Sequence, residues 1–267
     1  MHLQQDQPQD PSLLPLLATA AAAATTTTTT IPTTDPSLIN QYEAESLKQQ
    51  VAKKHLYFAY GSNLSPTQMR IRCIHNPTLS AHPVAIAALD DWRWLICQFG
   101  YSNVVPPEFL RVGRQTSEGT AVPESKAPSI PEGGVFGVLY EMDAADERVL
   151  DGYEGVDQCA PDTTNGKRVH RDIRPTEQGD GLYNKWFVDA RVVGWLDEGY
   201  REREGFVEVG GEVRVLVYLD ELRVRVGIPK DEYIPRMNRA ISEAVELGFP
   251  KDWAEKVMRP SIPLQQN

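Results

Sequence analysis

Leu56-Tyr57-Phe58-Ala59-Tyr60 runs without a charged residue into Gly61-Ser62-Asn63, and Leu64-Ser65-Pro66-Thr67-Gln68 follows at once. A short, aromatic-rich apolar run bounded by small residues reads as a buried strand. The residues behind it read as a helix from Ser65 to Cys73: Ser65 is an N-cap, Pro66 suits the first helical position, and Gln68 completes a capping box. A buried strand that turns on three small residues straight into a helix has two readings. The turn only reverses the chain, or its backbone cradles part of a ligand. Gly61 keeps the second open, because a residue without Cβ lets the main chain approach a ligand closely.

Outward from this stretch, strands dominate the middle of the chain. Pro83–Phe99 is a second β region, with Trp92 and Trp94 at period two on one face. Val135–Tyr140, Trp186–Trp195 and Glu212–Leu219 are strand-like, the last through alternation of Val213, Val215 and Val217. Asp143 caps a short helix that runs to about Gly152 and turns Val149 and Leu150 inward. REREGFVEVGGEVRV reads as a solvated hairpin. Ile234, Met237, Ile241, Ala244 and Val245 fall at helical spacing before Gly248, and Pro250 opens one more helix. The class that follows is α+β, with a mixed sheet closed into a barrel and flanked by helices.

The domain occupies residues 53–267. Met1–Ala52 is a low-complexity tail expected to be disordered: its apolar core LLPLLATAAAAA has no basic residue before it and six threonines after it, unlike a secretory signal. Two insertions enlarge the domain, near 113–134 and 157–185, both rich in polar and turn-forming residues. The formal net charge of −10 argues against nucleic acid or an anionic membrane as partner. Three scattered cysteines, Cys73, Cys97 and Cys159, form no paired framework, so a reducing, cytoplasmic setting is expected. Cys73, His75 and His82 do not match a zinc spacing, and no cofactor or metal is expected.

The segment YFAYGSN, followed by LDGYEGV (Leu150–Val156) and a helix holding YIPRMNRAI (Tyr233–Ile241), resembles the γ-glutamylcyclotransferase family. Fungal members in particular look similar over FGYSNVVP (Phe99–Pro106) and PKDWAEKVMRPSIP. That resemblance implies a cytoplasmic lyase without cofactor and with a small-molecule γ-glutamyl substrate. The free α-amine attacks its own side-chain carbonyl, closes a five-membered ring and expels an amine, leaving 5-oxoproline. By the same resemblance Glu154 transfers the protons, Tyr57, Phe58, Ala59, Tyr60, Gly61, Ser62 and Asn63 form the cradle, and Tyr233 contacts the glutamyl end. Ser62 acts by hydroxyl or by backbone.

An ordinary glutamate titrates near about 4.3 and an α-amine near about 8, so the first proton transfer runs uphill by about 5 kcal/mol. The end of the preceding helix and the flanking Leu150, Tyr153 and Val156 are expected to shield Glu154 and narrow that gap. Asp151 and Asp157 read as surface or capping residues. The competing readings are a non-catalytic γ-glutamyl-binding module that keeps the cradle and a cyclotransferase acting on glutathione or a glutathione adduct in a specialised pathway.

Overall fold

The computed structural model describes residues 55–113, 134–164 and 169–264. The tail to Ala52 and nearly all of the first insertion lie outside them. Five strands close a barrel in the order β1 (Leu56–Ala59), β5 (Val135–Tyr140), β2 (Pro83–Leu89), β6 (Asn184–Trp195), β7 (Glu212–Leu219). β7 returns to β1 in parallel, pairing Leu56 with Val215, while the other neighbours run antiparallel. This is the mixed, closed α+β arrangement expected from the sequence. β3 (Arg93–Ile96) and β4 (Ser102–Val105) form a separate two-stranded sheet.

Alternation decides which face of each strand is buried. Along β6, Trp186, Val188, Ala190 and Val192 are buried while Asp189 is exposed, the pattern of a half-solvated strand. β1 and most of β5 are buried on both faces. α1 (Pro66–Arg72) starts as expected: Pro66 stands at the first turn and Ser65 Oγ accepts the Gln68 N–H at 2.9 Å. The reciprocal half of the capping box does not form. Ser65 N–H goes to the Ser62 carbonyl, and the Gln68 side-chain oxygen accepts from Arg239 at 3.0 Å.

A four-residue helix, α2 (Pro77–Ser80), precedes β2. α3 (Ala144–Tyr153) follows β5, and Asp143 caps it through the Ala145 N–H at 2.8 Å. REREG is not a hairpin arm. It ends α4 (Glu198–Glu204), which Asp197 caps and Gly205 closes at a φ of 66°. Trp92 sits in the turn before β3 and not on a strand, though both it and Trp94 are buried. The amphipathic α5 (Tyr233–Glu246) buries Tyr233, Met237, Ala240, Ile241 and Ala244 and packs across the Ser62–Leu64 turn. A last short helix, α6 (Lys251–Trp253), leads into a π-helical turn, Ala254–Met258.

Candidate active site

The turn after β1 is a single 3-10 turn, Ser62–Leu64, in which Leu64 N–H donates to Gly61 O at 2.9 Å. Among the described residues, nothing accepts the N–H groups of Gly61, Ser62 and Asn63. Three consecutive free amides on a buried turn are the donors that a carboxylate or an oxyanion requires. The N–H groups at the start of α1 are already engaged within the protein. Thr67 N–H donates to Glu243 at 3.1 Å and Gln68 N–H to Ser65.

Gly61 is small for a reason within the protein. A Cβ there would lie 2.2 Å from Ser102 Oγ and 3.0 Å from the Tyr233 hydroxyl. Those two groups are hydrogen-bonded to each other at 2.7 Å, and the Tyr183 hydroxyl donates to the Ser102 carbonyl at 2.7 Å. The glycine turn, β4 and the start of α5 thus meet at one point. Arg236, one turn into α5, reaches back over the Tyr233 ring and donates to Ser62 Oγ at 3.1 Å.

Glu154 is placed by the way α3 ends. Gly155 N–H donates to Gly152 O and Val156 N–H to Asp151 O, the two bonds of a Schellman cap, and Gly155 takes the left-handed φ of 63° that this cap needs. Glu154 is the cap residue itself, so its side chain leaves the helix where the chain reverses. Its Oε1 accepts from Asn63 Nδ2 at 3.2 Å and from Arg72 Nη1 at 2.9 Å. Among the described residues nothing donates to Oε2. Asn63 Nδ2 also donates to the Tyr57 hydroxyl at 2.8 Å, so Tyr57, Asn63 and Glu154 form one cluster.

The apolar cover expected around Glu154 is only partial. Leu150 is fully buried and Val156 packs against the core, but Tyr153 is 56% exposed, with Arg72 stacked on its ring. Burial, reinforced by the Glu154 charge, holds the hydroxyls of Tyr57, Tyr60, Tyr183 and Tyr233 above the ordinary phenol range. All four stay protonated at neutral pH.

The remaining cradle residues point elsewhere. Phe58 is fully buried against Gly137, Ala59 is fully buried in β1, and the Tyr60 hydroxyl donates to the Tyr218 carbonyl at 2.6 Å. Asp151, read as a surface or capping residue, is buried. Its carboxylate accepts from the Tyr218 hydroxyl at 2.6 Å and pairs with Lys185 at 2.9 Å. Asp157 does cap, accepting the N–H groups of Cys159 and Asp180. Sequence reasoning missed Arg72, Ser102, Tyr183 and Arg236. Ser102 lies inside the FGYSNVVP stretch, and Arg72 in the last turn of the expected helix, so their neighbourhoods were visible but their partners were not.

No protein-family model matches the chain, and no curated protein matches it. Two solved structures are similar in outline. One is a gamma-glutamyl cyclotransferase, 18% identical, covering 80% of this chain and 90% of that one with a TM-score of 0.44. The other is YkqA from Bacillus subtilis, 17% identical, covering 84% of this chain at a TM-score of 0.47; this chain spans 60% of YkqA's length. Identities of this size say nothing of activity.

Proposed function

We propose that the protein is a γ-glutamylcyclotransferase-like lyase that converts a γ-glutamyl amino acid, peptide or amine to 5-oxoproline and the free amine. One observation carries this reading: Asn63 joins the glycine turn to Glu154 at 3.2 Å, with one carboxylate oxygen left open. The amides of Gly61, Ser62 and Asn63 take the glutamyl α-carboxylate, and Arg236 beside Ser62 adds positive charge there. Glu154 Oε2 takes a proton from the α-ammonium. The freed amine attacks the γ-carbonyl carbon, the new C–N bond closes the ring, and the old amide C–N bond breaks. Oε2 returns the proton to the departing nitrogen, and the second proton that the ring nitrogen sheds follows it, so the lactam keeps one N–H, the amine leaves as its ammonium, and no atom is gained or lost overall. Holding the amine against the carbonyl can supply effective molarities of about 10⁵ M or more. The proton transfer adds about 10²- to 10⁴-fold. Catalysis of this kind asks nothing of a cofactor, and a soluble, cytoplasmic enzyme suits it.

The test is a panel of γ-glutamyl amino acids, peptides and amines with product identification. Release of 5-oxoproline from at least one, and its loss by about 10²-fold or more in Glu154→Gln with binding retained, is the expected result. Turnover kept in that variant sinks the assignment, and glutamate as product indicates hydrolysis instead. A non-catalytic γ-glutamyl-binding module is the second reading, favoured by the Arg72 guanidinium that already neutralises Glu154. Binding across the panel without any 5-oxoproline would select it.

A further inference from the structure

Arg72 is absent from every motif that pointed to the site, yet its guanidinium makes the shortest contact to Glu154. Nη1 stands 2.9 Å from Oε1, and both side chains are largely buried, at 12% and 17% exposure. Its position is built, not incidental. Arg72 is the last residue of α1, the helix that begins at the glycine turn, and its guanidinium is stacked 4.9 Å over the Tyr153 ring. Tyr153 in turn directly precedes Glu154. The turn and the carboxylate are therefore tied twice, through Asn63 and through the far end of α1.

We propose that Arg72 is the positioning residue of the proton-transfer step: with Asn63 it anchors Oε1 so that Oε2 alone faces the substrate amine. This rests on the reading of Glu154 as the proton carrier. Two physical consequences follow. An anchored carboxylate cannot rotate, so the proton is received and returned at one fixed point, which a bifunctional shuttle between two nitrogens of the same substrate needs. The guanidinium also stabilises the charged carboxylate, which opposes trapping of the proton on Glu154 and favours its onward transfer to the leaving nitrogen. Arginine suits this better than lysine, because a planar fork stacked on an aromatic ring holds its direction.

The experiment compares the full chain with Arg72→Ala and Arg72→Lys on a γ-glutamyl substrate that the wild-type protein turns over, with guanidinium chloride added at millimolar levels. Arg72→Ala is expected to lose about 10- to 100-fold in kcat with KM changed less than about threefold. Added guanidinium should restore part of the loss in Arg72→Ala and none in Glu154→Gln. Arg72→Lys should fall between wild type and alanine. Full kcat in Arg72→Ala, a loss carried mainly in KM, or a folded Arg72→Ala that guanidinium does not revive overturns the proposal. If Arg72→Ala does not fold, Arg72→Lys decides: kcat equal to wild type overturns the anchoring role, and a several-fold lower kcat at unchanged KM supports it. Absence of turnover in the wild-type protein defeats the enzyme reading itself, an outcome separate from failure in the Arg72 variants alone.

Discussion

Two buried arginine–glutamate pairs stand in this molecule in opposite states of completion. Arg174 holds Glu221 with both oxygens, Nε to Oε1 at 2.7 Å and Nη2 to Oε2 at 2.6 Å, and both side chains are only 4% exposed. Glu221 Oε1 takes two more bonds, from Asn184 and from the Trp186 indole, each at 2.8 Å. Arg72 holds Glu154 by one oxygen and leaves the other open. The first pair has spent its lone pairs, and it fastens the excursion that carries Arg174 to the end of β7. The second retains an acceptor on a carboxylate that is still partly accessible. The saturated pair has no acceptor left to offer a ligand, and the incomplete one does.

The sharpest way to break that comparison is to remove each arginine and measure unfolding in urea. Arg174→Met leaves Glu221 charged, buried and short of two donors, and is expected to cost about 3–5 kcal/mol. Arg72→Met leaves a carboxylate that water can reach and is expected to cost about 1 kcal/mol. Equal losses would show that the two pairs serve the same purpose.

How far the sequence reveals this contrast depends on chain separation. β6 and β7 are legible because side-chain alternation is local, and α5 because its apolar residues repeat at helical spacing. Glu154 is legible through the short segment that makes its own Schellman cap. Arg72 lies 82 residues from Glu154 and Ser102 lies 131 from Tyr233, so neither pairing leaves a local trace. Asp151 was misjudged for the same reason: its burial depends on Tyr218 and Lys185, both in distant strands. REREG failed differently. Its glycines further on suggested a hairpin turn, while the Asp197 cap and the buried Tyr200 that make it helical lie just upstream.

A carboxylate two turns before Glu154 on α3 extends the comparison to acid. Burial pushes the Glu147 carboxyl up, but hydrogen bonds from His55 and the charge and hydrogen bond of Lys185 outweigh it and bring it down from 4.5 to about 2. Like Glu221, it has both oxygens engaged, Oε1 by Lys185 at 2.5 Å and Oε2 by His55 at 3.2 Å. A folded-state value below the unfolded one means that the stabilisation is complete above pH 4.5 and is lost as pH falls toward about 2. Asp146 is held low in the same sense: its burial is outweighed by the N–H groups of His75 and Asn76. Unfolding free energy should therefore drop over that window by up to about 3 kcal/mol from Glu147. Glu147→Gln should flatten the drop. An unchanged acid limb would show that these bonds do not persist in solution.

The smallest expected effect separates packing from chemistry at the glycine turn. Ala at position 61 would drive its Cβ against Ser102 Oγ, and overpacking of this kind costs about 1–3 kcal/mol. Ser102 can yield by rotating, but then the 2.7 Å bond to the Tyr233 hydroxyl breaks. Gly61→Ala should thus lose both stability and turnover. The double variant Gly61→Ala with Ser102→Ala removes the colliding oxygen, so its urea midpoint should return most of the way to wild type. Its Tyr233 hydroxyl, however, has lost the Ser102 Oγ bond and keeps only a bond to the Ser102 backbone, so turnover should remain depressed. Recovery of both would mean that Gly61 is small only to fit Ser102, and that Tyr233 has no part in holding the glutamyl end. Recovery of stability alone would place the requirement for glycine in the packing and the requirement for Ser102 in the chemistry.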